Sequence, residues 1–232
     1  MQNLLRARLR ENSTFEHRYF SGGLPYKLGE IDGAEKTFRA ALDINPNSPH
    51  ALSGTAQVWM SRKNYASALR YINKAIFKES TDNKLYELKA EILISSEEYL
   101  EAIDIFNGLI LNDYRRASVY KGRGFALDKM GKKVEAIADF SSAIGLDPRD
   151  VESLNNRAFI LYELGRYQEA ITDYNQAIDV SPAVAELFYG RGLARESLGD
   201  VAGALSDIKQ AVIFEPNNVK YLDRLHIISK NE

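Results

Sequence analysis

Punctuation that returns every 34 residues constrains this chain more than any other feature of it. Within residues 151–184, apolar side chains at helical spacing (Leu154, Ala158, Leu161) run up to Gly165. They resume with Tyr167, Ala170, Ile171, Tyr174, Ala177 and Ile178, then stop at Pro182. This pattern predicts two amphipathic helices joined by a tight turn. Gly131 and Pro148 stand one period earlier, and Gly199 and Pro216 one period later. Helix pairs this short cannot bury their apolar faces alone, so the chain must be an array in which each repeat buries its core against its neighbours.

Counting from Phe15, six repeats fill residues 15–48, 49–82, 83–116, 117–150, 151–184 and 185–218 without an insertion. Residues 1–14 form an N-terminal lead-in. Residues 219–232 restart the pattern and end before a second helix, as a cap would. The expected organisation is one solenoid domain over residues 15–232. Repeat one is irregular: Gly22, Gly23 and Pro25 predict a first helix that is short, kinked or displaced. Lys63 and Glu97 replace the turn glycine in repeats two and three, while Ser80 and Tyr114 replace the closing proline. In the cap, His226 stands where every full repeat has Gly or Ala, which suits a terminal helix with one face in water.

The repeats supply their own comparison. Ala occupies the twentieth position in all six: Ala34, Ala68, Ala102, Ala136, Ala170 and Ala204. The eighth is always small: Gly22, Ala56, Ala90, Gly124, Ala158 and Gly192. Small side chains at both positions let the two helices approach to the short end of the roughly 8–10 Å interaxial range. Bulk fills the layer beside that crossing at the twenty-fourth position, as Phe38, Ile72, Phe106, Phe140, Tyr174 and Ile208.

With a small residue at twenty-seven and Pro at thirty-two, as in Gly124, Ala136, Phe140, Ala143 and Pro148, these columns resemble the tetratricopeptide repeat over residues 15–232. The resemblance implies an all-α fold, a right-handed α-solenoid of antiparallel helix pairs wound as a superhelix. It also implies that the first helices line a concave groove that binds peptides or partner proteins.

Charge shows a second regularity. Repeats four to six carry Arg at the seventh position (Arg123, Arg157, Arg191) and Asp at the twenty-third (Asp139, Asp173, Asp207), whereas repeats one to three have neither. Residues that come and go together are expected to meet, as charge-assisted pairs that fix register across packed helices, within a repeat or between neighbours; the alternative is that the arginines bind a ligand. Arg195 departs from the pattern, standing where repeats two to five have Trp59, Leu93, Leu127 and Leu161. It is expected either to snorkel past the terminal helix or to meet an acid on a ligand.

If first helices line the groove, positions two, five, nine, twelve and thirteen face it. Repeats five and six place Glu152, Asn155, Phe159, Tyr162, Glu163, Glu186, Tyr189, Leu193, Glu196 and Ser197 there; repeat four adds Ser118, Lys121, Phe125, Asp128 and Lys129. The face of repeats five and six has four carboxylates, no base and several apolar rings. Such a face favours a segment with Lys or Arg and apolar anchors. The competing reading is that the aromatics pack against the next repeat and the acids are merely solvated. The family's two-carboxylate clamp for acidic chaperone tails fits poorly: Lys121 and Asn156 match it, while Phe125, Glu186 and Gly190 do not.

Other classes find little support. Lys and Arg number 30 against 32 Asp and Glu, so no basic surplus points to nucleic acid. There is no cysteine, and the three histidines, His17, His50 and His226, stand in distant repeats, so no metal site, cofactor or catalytic constellation is expected. Gly122, Arg123 and Gly124 fall inside a predicted helix and read as helix contacts, not a phosphate loop. No apolar run reaches the roughly 18 residues of a membrane span. The Arg-rich start lacks the apolar core of a secretory signal; it resembles a mitochondrial transit segment somewhat, but it is short and Glu11 counts against that, so a lead-in covering the first repeat is expected, and with neither a secretory signal nor a membrane span the cytoplasm is favoured. The expected function is a non-enzymatic scaffold or adaptor for a peptide or protein partner. The alternatives are an assembly protein that self-associates through its ends and a regulatory domain of a larger complex.

Overall fold

The computed structural model of the chain describes residues 28–229. The lead-in and the irregular first half of repeat one, with Gly22, Gly23 and Pro25, lie outside the described residues. Among the described residues there are twelve α-helices and no strand. They are α1 (Leu28–Ile44), α2 (Pro49–Ser61), α3 (Tyr65–Lys78), α4 (Asn83–Ser95), α5 (Tyr99–Leu111) and α6 (Ala117–Lys129), followed by α7 (Lys133–Leu146), α8 (Val151–Glu163), α9 (Tyr167–Val180), α10 (Ala185–Ser197), α11 (Val201–Phe214) and α12 (Val219–Ile228). The chain divides into two compact units after Lys78. The first contains α1 to α3 and the second α4 to α12.

Helix ends follow from local chemistry. Ser48 accepts from the Ala51 amide at 3.3 Å and is followed by Pro49, which starts α2 without wasting a donor. Asp82, Asp150 and Asp200 cap α4, α8 and α11 through the amides of Lys84, Ser153 and Gly203. First helices end on a left-handed residue: Gly131, Gly165 and Gly199 have φ between 73° and 83°. Lys63 (φ 57°) and Glu97 (φ 67°) take the same conformation without glycine. The turn therefore survives loss of the residue that marks it, because its amides are fully used: Glu97 N bonds Ile94 O at 3.0 Å and Glu98 N bonds Leu93 O at 2.8 Å. Glu97→Gly is expected to raise the denaturant midpoint by the equivalent of about 1 kcal/mol, the cost of the left-handed conformation for a side-chain-bearing residue.

In unit one, Ile31, Ala34, Phe38 and Val58 form a core cluster. In unit two, Ala90, Ala102, Ala136, Ala158, Ala170 and Ala204 are fully buried. A Cβ at Gly124 would lie 3.3 Å from Ala136 O, and one at Gly192 3.3 Å from Ala204 O, so positions eight and twenty do mark the closest crossing. Within unit two each helix packs on the next, and first helices of successive repeats also touch: α4 with α6, α6 with α8, α8 with α10. Second helices of successive repeats make no comparable contact. The first helices therefore lie on the tighter, inner side of this unit.

Candidate functional site

Arg and Asp at positions seven and twenty-three meet as forked pairs. Arg157 Nε donates to Asp173 Oδ2 at 2.8 Å and Nη2 to Oδ1 at 2.7 Å; Arg123 with Asp139 and Arg191 with Asp207 repeat the geometry. The third nitrogen of each fork reaches back one repeat, to Asn107 from Arg123, to Ser141 from Arg157 and to Asn175 from Arg191, at 2.7–2.8 Å. Each arginine thus fastens its own repeat and the preceding one, and the bond to Asp139 holds the Arg123 guanidinium above its ordinary pKa. The hydrogen bonds of these guanidinium groups are thus made within the chain, between helices. Arg195 joins them: its Nη1 donates to Asp207 Oδ2 at 2.8 Å, so it neither snorkels past the terminal helix nor waits for a ligand.

On the inner face of unit two, position five of one first helix meets position two of the next. Glu87 of α4 accepts from the Ser118 hydroxyl of α6. Lys121 of α6 donates to Glu152 of α8 at 2.7 Å and to Asp150 at 3.5 Å. Tyr189 of α10 carries the Lys220 ammonium of α12 over its ring, 4.6 Å from the centroid. Asn155 of α8 and Glu186 of α10 hold the equivalent positions, yet no hydrogen bond or ion pair joins them. The ladder has one open rung.

Around it the candidate residues divide. Phe159, one turn along α8 from Asn155, keeps 49% of its surface in water. Glu186 is exposed and has no ion pair among the described residues. Phe125 and Leu193 are half-buried; Phe125 stacks under Lys129 at 5.1 Å, and Leu193 packs on the cluster of Tyr189 and Tyr221. Tyr162 rests on Tyr167 with ring centroids 5.6 Å apart. The uncompensated acidic face that the sequence implies is largely absent, because neighbouring elements supply the cations: Lys121 to Glu152, Lys133 to Glu163 at 3.0 Å, and Arg224 of α12 to Glu196 at 2.9 Å. Tyr189 is only 8% exposed, its ring 4.7 Å from that of Tyr221, and serves the core between α10 and α12. For Lys121, burial opposes the charge, but Glu152 and Asp150 more than offset it and hold its pKa above the ordinary value. Burial, with Glu163 nearby, pushes the Asp128 carboxyl up despite Lys129 and Lys133.

Sequence reasoning that stopped at repeats four to six missed α4. The same positions in repeat three give Glu87 and Glu91. Glu87 is buried and accepts from Tyr114 at 3.0 Å, from Ser118 and, at 3.5 Å, from Arg116. Tyr114 reaches it because α5 stops at Leu111 on a left-handed Asp113, a turn that the usual proline does not make. Glu91 stays accessible to water although protein surrounds it, and desolvation together with the Glu87 charge pushes its pKa up to about 7, against the pull of Lys121 and Arg116.

The sign for stability follows. A carboxyl raised in the fold binds its proton more tightly there than in the unfolded chain. Its penalty is absent below the ordinary value of 4.5 and grows as pH rises towards 7. Glu91→Gln is expected to match the parent chain near pH 4 and to exceed it at pH 8. Because water screens the accessible carboxylate, the gain is on the order of 1 kcal/mol, measured as a midpoint shift in denaturant series at the two pH values.

Helix pairs of fixed period, crossing at small residues and placing first helices on one inner face, define an all-α solenoid of the kind that serves as a binding scaffold. Models of the tetratricopeptide repeat match residues 26–92 and 140–172, and one described as TPR repeat matches residues 159–199. The chain belongs to the tetratricopeptide-repeat family. Among solved structures, YrrB, described as a TPR protein with an unusual peptide-binding site, aligns over 81% of this chain and 96% of its own at 21% identity, with a TM-score of 0.64. The protein MamA aligns over 75% of this chain and 94% of its own at 19% identity, with a TM-score of 0.64. The Cut9–Hcn1 hetero-tetramer of the APC/C gives a TM-score of 0.73 over 88% of this chain and 40% of that one, at 15% identity. No curated protein matches the sequence. No helix among the described residues is long and apolar enough to cross a membrane, and no His, Cys, Asp and Glu cluster among them is arranged to hold a metal.

Proposed function

We propose that the chain is a non-enzymatic scaffold that binds a peptide or partner protein on the inner face of unit two, centred on the open rung. The observation that carries this reading is the contrast along one face: three rungs are closed by internal partners, while Asn155 and Glu186 are left with free bonding capacity beside a half-exposed Phe159. Closed rungs give stiffness and the open one gives chemistry. Glu186 suits a Lys or Arg of the partner, the Asn155 amide suits a peptide bond, and Phe159 suits an apolar side chain. The preference for basic, apolar segments therefore rests on Glu186 and Phe159, not on an acidic face as a whole.

A displayed peptide library selected on the intact protein tests this. The selected peptides are expected to pair a base with an apolar residue and to bind at least tenfold more weakly to Phe159→Ala and to Glu186→Lys, by roughly the 1.4 kcal/mol that a modest contact contributes. Peptides that bind parent and both variants equally, with all three chains folded by circular dichroism, would remove the groove as the site.

Self-association is a second reading, favoured by the exposed Val219, Leu222 and Ile227 of α12, the last described helix. A light-scattering mass that stays monomeric as concentration rises would eliminate it.

A further inference from the structure

The second helix of repeat two is unlike its counterparts. Helix α3, with the sequence YASALRYINKAIFK, carries Arg70, Lys74 and Lys78 and no acidic residue, whereas none of the other five second helices has more bases than acids. The three cations recur every fourth residue, so they form one row with about 6 Å between successive members. Like charges at that spacing repel and weaken a helix. Lys78 has a local reason to be there, since a cation in the last turn complements the helix dipole. Arg70 and Lys74 stand outside the last turn and gain nothing from the dipole.

Nor does the fold neutralise the row. All three are exposed, and none forms an ion pair with a carboxylate among the described residues. Their contacts are with rings on their own helix: Arg70 and Lys74 lie over Tyr71 at 5.1 and 5.8 Å, and Lys78 over Phe77 at 5.4 Å. Phe77 is itself 82% exposed. Residues 1–27 do not suit this surface by charge, having five Lys and Arg against two Glu.

We propose that the outer face of α3 is a second interaction surface, distinct from the groove, for an acidic protein segment whose carboxylates are spaced to meet Arg70, Lys74 and Lys78 and whose apolar side chain covers Phe77. Complementary charge is the argument: partner carboxylates relieve a repulsion that the free chain sustains. The alternatives fit less well. Stable hold on an anionic bilayer takes a second signal or roughly four to eight clustered bases, and α3 offers three. Nucleic acid would stack bases on open ring faces, but Tyr71 already carries two cations.

The test uses the full chain and a short fluorescein-labelled helical peptide with Glu at every fourth position beside a Leu, followed by anisotropy at low and high salt. Binding is expected to the parent chain, to weaken with salt and to fall about tenfold or more in an Arg70→Gln, Lys74→Gln, Lys78→Gln variant, given three surface pairs lost. Phe159→Ala should bind the peptide as the parent does, which separates this surface from the groove. Circular dichroism should show that the triple variant melts no lower than the parent, and Phe77→Ser gives an independent reading with the charges intact. Equal affinity of parent and triple variant would overturn the proposal, as would salt-independent binding. Capture of phosphatidylserine vesicles or oligo-dT in preference to the acidic peptide would also overturn it.

Discussion

Replacing Arg157 by Met is expected to destabilise unit two by about 3 kcal/mol, the scale for stripping one partner from a buried ion pair. The Asp173 side chain is 6% exposed and loses both forked bonds, at 2.7 and 2.8 Å, so its charge is left in the interior without a counterion. The Ser141 hydroxyl loses its bond across the repeat boundary as well. Since repeats contact only their neighbours, the loss should appear first as faster amide exchange in α7 to α9 and then as a lower denaturant midpoint. The double variant Arg157→Met, Asp173→Leu is expected to recover most of the loss, because removing both charges removes the desolvation penalty with them. A single variant as stable as the parent would show that water reaches Asp173, and would return the arginine to the pool of ligand-binding candidates.

Phe106→Ala is expected to cost about 3–5 kcal/mol. The ring is 1% exposed, and its edge packs against Gly122 of the next repeat, where a Cβ would stand only 2.5 Å from Cζ. Gly122 has no side chain with which to fill the space, so the cavity stays open and the penalty falls toward the upper end. The complement is Gly122→Ala, which pushes a methyl into the ring and is expected to cost about 1–3 kcal/mol by overpacking. Combined, the two substitutions should cost less than their sum, since the added methyl enters the vacated space. Additive losses in urea melts would mean that Phe106 and Gly122 do not share one contact. Phe38 with Gly54 and Tyr174 with Gly190 show the same arrangement, in which glycine at position six admits the ring from the preceding repeat.

Period, helix boundaries and the crossing of helices at small residues were legible because each depends on residues close in sequence or on columns that recur every 34 residues. The pairing of Arg123, Arg157 and Arg191 with their aspartates was legible for the same reason: three copies that appear together state a contact. Even Lys63 and Glu97 kept the turn that glycine marks elsewhere, since the amide bonds around them define it.

The inner face of unit two was less legible. Position along the repeat tells which residues lie on the inner face, but their state depends on partners some 30 residues away on other helices. Glu163 is neutralised by Lys133, Glu196 by Arg224, and Tyr189 is roofed by Tyr221, all through contacts unique to one junction and so without a repeating column to reveal them. Tyr114 looked like a lost proline and proved to be a hydrogen-bond donor to Glu87. The repeat, its two helices and the layer that joins them are imposed by periodic burial of apolar and small side chains, and so can be read along the chain alone. Which charges remain free depends instead on distances in space between repeats, and these leave Asn155 and Glu186 as the open rung beside Phe159, while Glu91 and Asp128 on the same face also lack an ion pair among the described residues.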